Sequence, residues 1–286
     1  MIPQEQDALP GGLASPATGL ASANPLINVS RFAKKTFVVA ELEVRKIYHD
    51  PTEIILRGVQ PMLWLLVFGQ VFTRSRAIPT GNLSYLDFMT PGILAQSVLF
   101  IAIFYGVAII WERDLGIIHK LLASPTPRSA LVLGKALSAG VRSFLQVFII
   151  YSLALLLGVK MSWNPLSLLG VLAVVVMSAA LFSTFSLIIA CLVKTRERFM
   201  GVGQLMTMPL FFASNAIYPI SMMPPWLQVL AKINPLTYEV DALRFLMLAN
   251  RPTGSLSMLI LDFAVLLMST ALLVVIGGRL YPNAAT

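Results

Sequence analysis

Charge is what this sequence has least of. Asp, Glu, Lys and Arg make up only 12% of its 286 residues, about half the share usual in a soluble domain. With 57% apolar residues and a mean hydropathy of +0.80, most of the chain is not built to face water. The one cysteine, Cys191, lies in an apolar run, so an internal disulfide framework is excluded. Two histidines, His49 and His119, lack partners at a metal-ligand spacing such as H-E-x-x-H. There is no G-x-S-x-G nucleophile elbow. A Walker A loop is missing too: the only Gly-Lys pair, Gly134-Lys135, has Ser129 where the first glycine belongs and Ala136 where Ser or Thr belongs. The chain is therefore expected to be non-catalytic, with no cofactor or metal of its own.

Targeting and coupling signals are equally thin. Residues 1–27 have neither a basic n-region nor a continuous apolar stretch, so they do not read as a signal peptide. Their Pro, Gly, Ala and Ser content reads as a flexible tail. The candidate ionisable groups within the membrane are Arg57, Arg142 and Asp262. Arg57 is expected to snorkel to the interface, and Asp262 to lie near enough to a helix end to be solvated. Arg142 alone is not a proton relay, so transport energy is expected to come from outside the chain.

What the sequence does have is long apolar runs. About 20 such residues cross a bilayer as a helix, and six candidates fall at roughly 54–73, 91–111, 129–158, 165–193, 199–220 and 255–280. The fold class is an all-α polytopic membrane protein, with residues 53–286 as one six-span domain. With the N-terminus in the cytoplasm, the basic residues expected inside are Arg31, Lys34, Lys35, Arg45, Lys46, Arg113, Lys120, Arg128, Lys135, Lys194, Arg196, Arg198 and Arg279. Only Arg74, Arg76, Lys160, Lys232, Arg244 and Arg251 then fall outside. That bias predicts both termini in the cytoplasm, and the protein is expected in the cell's inner (plasma) membrane. It also accounts for the net charge of +8 without nucleic acid. Small residues Ser178, Ala179 and Ser183 in the fourth run suit close helix packing.

Three polar segments interrupt the grease. Within 28–52, Ala33, Phe37, Ala40, Val44, Ile47 and Tyr48 share one helical face beside Lys34, Glu41 and Arg45, which predicts a helix lying in the bilayer surface. Between runs two and three, "ERDLGIIHKLLASPTP" places Leu115, Ile117, Ile118, Leu121 and Leu122 on an arc of about 160°. Glu112, Arg113, Gly116 and Lys120 face the other way, His119 sits at the edge, and Asp114 falls inside the apolar arc. From Asp114 to Ala123 this helix is too short to span. It reads either as a docking element or as a connection resting on the interface. Before the last run, Pro224-Pro225 and Asn234-Pro235 punctuate short helical stretches at roughly 225–233 and 235–248. Asn234 is suited to cap the second, with Pro235 at its first position.

At these residues the sequence resembles the type 2 family of ABC transporter permeases, the membrane subunits of exporters, with a daunorubicin-resistance flavour. The resemblance rests on Glu112-Arg113-Asp114-Leu115-Gly116, Leu121-Leu122-Ala123-Ser124-Pro125, Gly134-Lys135, and a late Asn234-Pro235-Leu236-Thr237-Tyr238 followed by Arg244. It implies that Glu112–Ala123, with Ile117, His119, Lys120 and Leu121 among its contacts, is a coupling helix for a separate ABC ATP-binding subunit carrying ATP and Mg. It implies two such subunits and a second permease chain, the same or related, in the lipid bilayer. It makes Asn234, Pro235, Thr237, Tyr238 and Arg244 an outer gate in short re-entrant helices. It also draws the path along runs one, two and five, where Trp64, Phe68, Tyr105, Met206, Met208, Phe212 and Asn215 are the candidate lining. Export of a hydrophobic small molecule is the expected function. Polysaccharide or glycolipid export and an ion-driven six-span carrier are the alternatives.

Overall fold

The computed structural model describes residues 58–76, 78–81, 83–115, 128–193, 195–249 and 255–280. The tail at 1–27 and the surface helix at 28–52 lie outside the described residues, as do Gly116, Ile117, His119, Lys120 and Leu121 of the coupling segment. Helix α1 covers 58–75 and includes a π-helical stretch, Trp64–Gly69. It is followed by α2 (Tyr85–Asp114), α3 (Arg128–Leu156), α4 (Pro165–Leu192) and α5 (Arg196–Phe212). Two short helices, α6 (Pro225–Ile233) and α7 (Pro235–Met247), precede α8 (Leu256–Leu280). Among the described residues, α2, α4 and α8 are long and apolar enough to cross a membrane.

Local chemistry sets the helix starts. Ser84, Asn164, Thr195 and Asn234 sit in extended backbone and cap α2, α4, α5 and α7 through side-chain oxygens. Proline follows the cap in α4 and α7, where its missing N–H costs nothing. The stops are less regular. The run expected to continue to 220 ends at Phe212 after 17 residues. Pro209 in its last turn removes a backbone donor, and side chains then take over the terminal carbonyls, as described below.

Helix α4 is the axis of the bundle, packing against α2, α3, α7 and α8. It is apolar all round, and Ser178, Ala179, Ala180, Ser183, Thr184, Ser186 and Ala190 are all buried along it, the small-residue packing its sequence predicts. Gly106 of α2 lies directly against Ser186 and Phe199, so a Cβ there would overlap both. The Ser186 hydroxyl donates to the Ile103 carbonyl across the same contact. Gly92 meets the backbone of Ala216 in the same manner. In lipid these close approaches and the hydrogen bonds they permit replace hydrophobic exclusion as the source of helix–helix attraction.

Candidate functional site

Helix α7 is tied down along its whole length. At its start, the Asn234 carboxamide oxygen accepts from the Leu236 N–H at 3.0 Å, while its Nδ2 donates to the carbonyls of Leu210 (2.7 Å) and Ala213 (3.1 Å). The Ser214 and Tyr218 hydroxyls donate to the carbonyls of Phe211 and Phe212. One residue thus caps the start of α7 and helps to satisfy the end of α5, whose last carbonyls have no partner within the helix. At the far end of α7, Ser162 N–H donates to Met247 O and Ala249 N–H to Lys160 O, an isolated antiparallel bridge between the α3–α4 loop and the segment after α7. The Lys160 N–H in turn donates to Asp87 of α2 at 3.2 Å.

The middle of α7 carries the charge. The Arg244 side chain is 8% exposed. Its Nη1 donates to Asp241 Oδ1 at 3.2 Å, and its Nη2 donates to the carbonyls of Asn215 (2.8 Å) and Phe88 (3.4 Å). The guanidinium also stands 3.9 Å from the centroid of the Phe88 ring, a cation–π contact. Asn215 Nδ2 donates to the same Asp241 oxygen at 2.6 Å. Burial lowers the Arg244 pKa to about 10 against the pull of Asp241, which leaves it charged at neutral pH. Burial also raises Asp241, opposed by Arg244 and by the Asn215 hydrogen bond. Glu239, fully buried and facing Ser178 of α4, is pushed well above the usual carboxylate range by burial.

Beside this network is a pocket of about 480 Å³. Asp241, Arg244, Tyr238 and Phe245 of α7 form one wall and Met258, Leu259, Leu261 and Asp262 of α8 another, with Pro79, Thr80 and Leu83 of the α1–α2 connection, Phe88 of α2 and Pro219 completing it. Asp262, expected to be solvated, is only 6% exposed. It lies near the start of α8, as the sequence indicates, but on the wall of the pocket that α7 also lines.

From Phe88 a chain of ring contacts runs back to α1 and α5. Phe88 lies 6.5 Å from Tyr85, Tyr85 5.2 Å from Phe72, Phe72 6.4 Å from Phe68, and Phe68 4.6 Å from Trp64. Trp64 meets Phe211 edge-on at 5.9 Å, and Phe211 neighbours Phe212. Phe68, Met206, Met208 and Phe212 are exposed or close to it on these two helices. Tyr105 stands apart, 5.3 Å under the Arg142 guanidinium. Asn215 belongs with Arg244 rather than with the aromatic chain. Of the residues expected at the gate, Asn234, Thr237 and Arg244 are buried, Pro235 is the first residue of α7, and the Tyr238 hydroxyl donates to Lys232 O at 2.7 Å.

The opposite end of α2 holds the start of the expected coupling segment. Glu112, Arg113 and Asp114 form its last turn, and Leu115 closes it. Arg113 Nη1 donates to Val193 O at 3.3 Å. Asp114, out of place on an apolar arc, pairs with Arg196 at 2.6 Å, and Arg196 lies 3.5 Å over the Trp111 ring. Sequence reasoning missed Asp241, Arg196 and Trp111. Asp241 was findable, because an Asp three residues before an Arg on one helix places both on one face. The Arg196 pairing was not, because 82 residues separate its partners.

Comparison with known proteins finds similar sequences among transport permeases. The family model described as ABC-2 type transporter matches residues 34–248. The chain is 30% identical over 218 residues to ycf38 of Cyanophora paradoxa, named for a transport permease, covering 75% of this chain and 74% of that one. It is 26% identical to the daunorubicin resistance ABC transporter permease protein DrrB1 of Streptomyces coeruleorubidus, covering 70% of each. It is 27% identical to the inner membrane transport permease YadH of Escherichia coli, covering 64% of this chain and 70% of that one.

Proposed function

The chain belongs to the ABC-2 type transporter family, and from that premise we propose that it is the permease subunit of an ATP-driven exporter for a hydrophobic, drug-sized molecule. On this reading ATP and Mg are held by a separate ATP-binding subunit, two copies of which serve two permease chains. Helices α1 to α5 and α8 cross the inner (plasma) membrane, with both termini and the Asp114 end in the cytoplasm. The α7 end faces outward and forms the outer gate. The name of the daunorubicin-resistance relative supports a drug-like cargo.

The observation that carries this reading is the aromatic chain. It links the exposed face of α1 and α5 to the ring under Arg244 through successive contacts of 4.6 to 6.5 Å. Phe68 and Phe212 offer an exposed aromatic surface to a flat apolar ligand, and the buried rings of Phe211, Tyr85 and Phe88 carry that contact through the packed core towards Arg244. Helix α2, at 30 residues, is about 45 Å long. It touches the gate at Phe88 and ends at Asp114, so a push on residues 112–121 from the ATPase reaches Arg244 through one rod. Ser186 and Gly106 hold the middle of that rod against α4.

The test is efflux of ethidium from cells expressing this chain with and without its ATP-binding partner. Efflux should need both chains and a partner competent in hydrolysis, and it should persist when an uncoupler collapses the proton gradient with ATP maintained. Efflux by the permease alone that stops with the uncoupler points to an ion-driven carrier instead.

A further inference from the structure

The pocket between α7 and α8 has one negative charge more than its fold requires. Asp241 is matched, since Arg244 and Asn215 both donate to it. Asp262 is not matched. It is 6% exposed, it lines the pocket, and no hydrogen bond or ion pair reaches its carboxylate from the described residues. A buried carboxylate normally secures a partner, because removing its hydration without replacement is costly. Its carboxylate opens onto the pocket rather than into packed protein, so a cation with a hydrogen-bond donor can reach it there.

The rest of the lining narrows the chemistry. A volume of about 480 Å³ falls within the range of small-molecule sites. Phe245, Met258 and Tyr238 supply apolar and aromatic surface beside the carboxylate, with Met258 at an exposed rim. Arg244 shares the wall and repels a second positive charge. We infer that this pocket is a binding site for a monocationic amphiphile, in which N–H donors sharing the positive charge (an ammonium, or amino groups conjugated to a cationic ring) are held by Asp262 and the apolar body lies against Phe245 and Met258. Calling that ligand a cargo rests on the exporter reading; its binding does not.

The purified full-length chain in lipid nanodiscs, titrated with ethidium and followed by fluorescence anisotropy, tests the site. Saturable binding is expected, with the anionic dye anilinonaphthalene sulfonate unable to displace it. Asp262→Asn should weaken ethidium binding about tenfold or more, since a charge-assisted hydrogen bond is lost, and Asp262→Glu should recover part of it. Met258→Trp, which fills the pocket from its rim without touching the carboxylate, should weaken binding as well. Thermal melting shows whether each variant is folded; if Asp262→Asn is not, Met258→Trp decides. Three results overturn the proposal: no saturable ethidium site in the wild type, unchanged affinity in the folded variants, or equal displacement by the anionic dye. If binding holds but ATP-dependent efflux fails, the site stands and the exporter reading falls.

Discussion

Two charged contacts hold the two ends of α2. At the Tyr85 end, Arg244 is 8% exposed and spends its donors on Asp241, Asn215 O and Phe88 O, with the Phe88 ring beneath it. At the Asp114 end, Asp114 and Arg196 pair at 2.6 Å, but their side chains are 42% and 40% exposed, with Trp111 the flanking surface. A buried, multiply bonded charge is expensive to orphan and nearly indifferent to salt. An exposed pair contributes little and exchanges partners easily. One helix therefore joins an end whose arrangement is fixed to an end where partners can change. That is the asymmetry a machine needs if force arrives at one end and a gate responds at the other.

Breaking the fixed end should have the largest effect. Asp241→Ala leaves the buried Arg244 guanidinium without its carboxylate and should cost about 3–5 kcal/mol, read as a lowered melting temperature in detergent. A loss under about 1 kcal/mol would make the two ends alike and dissolve the contrast. The middle of the rod comes next. Gly106→Ala puts a methyl into Ser186 and Phe199 and should cost about 1–3 kcal/mol by overpacking. The same measurement checks it, and an unchanged melting point there means that α2 and α4 are free to separate.

The bundle and the α7 network were unevenly legible in the sequence. Hydrophobic runs locate α2, α4 and α8 because apolar length alone decides them. Asn-Pro announced α7 because cap and first-turn chemistry are local. The end of α5 was not legible: it depends on Asn234, Ser214 and Tyr218 reaching back to its carbonyls, and only the fold brings Asn234 there. Burial of Asp262 was missed for a related reason. Its place near a helix end says nothing about the pocket wall it shares with α7. Asp114 looked misplaced because an isolated helical wheel has no Arg196 on it. Polar residues in this chain are placed by partners far away in sequence, while apolar ones are placed by their own run.

Asn234 sharpens the contrast from the α7 side. Asn234→Ala removes the cap of α7 and two donors to the end of α5, and should cost about 1–2 kcal/mol. If the gate depends on this joint, transport should fall further than the melting temperature suggests. An Asn234→Asp variant keeps the capping oxygen but loses the Nδ2 donors, so the two roles separate: restored stability with Asp points to the cap, continued loss to the α5 carbonyls.

The smallest change in stability should come from the Asp114 end, and there function rather than folding is the informative reading. Asp114→Asn removes an exposed ion pair and should shift stability by about 1 kcal/mol or less. On the coupling reading it should nonetheless reduce export per ATP hydrolysed, because Arg196 and Arg113 lose the carboxylate that fixes the last turn of α2. The exchanged pair Asp114→Arg with Arg196→Asp separates two ways in which that could happen. If the contact only aligns α2 with α5, the exchange restores coupling. If Asp114 itself faces the ATPase, the exchange restores alignment and leaves coupling broken. Raising the salt concentration should weaken this pair more than the Arg244–Asp241 contact, since both of its partners are exposed while Arg244 is buried. Coupling unaffected by Asp114→Asn, at any salt, would remove this pair from the route by which force enters α2.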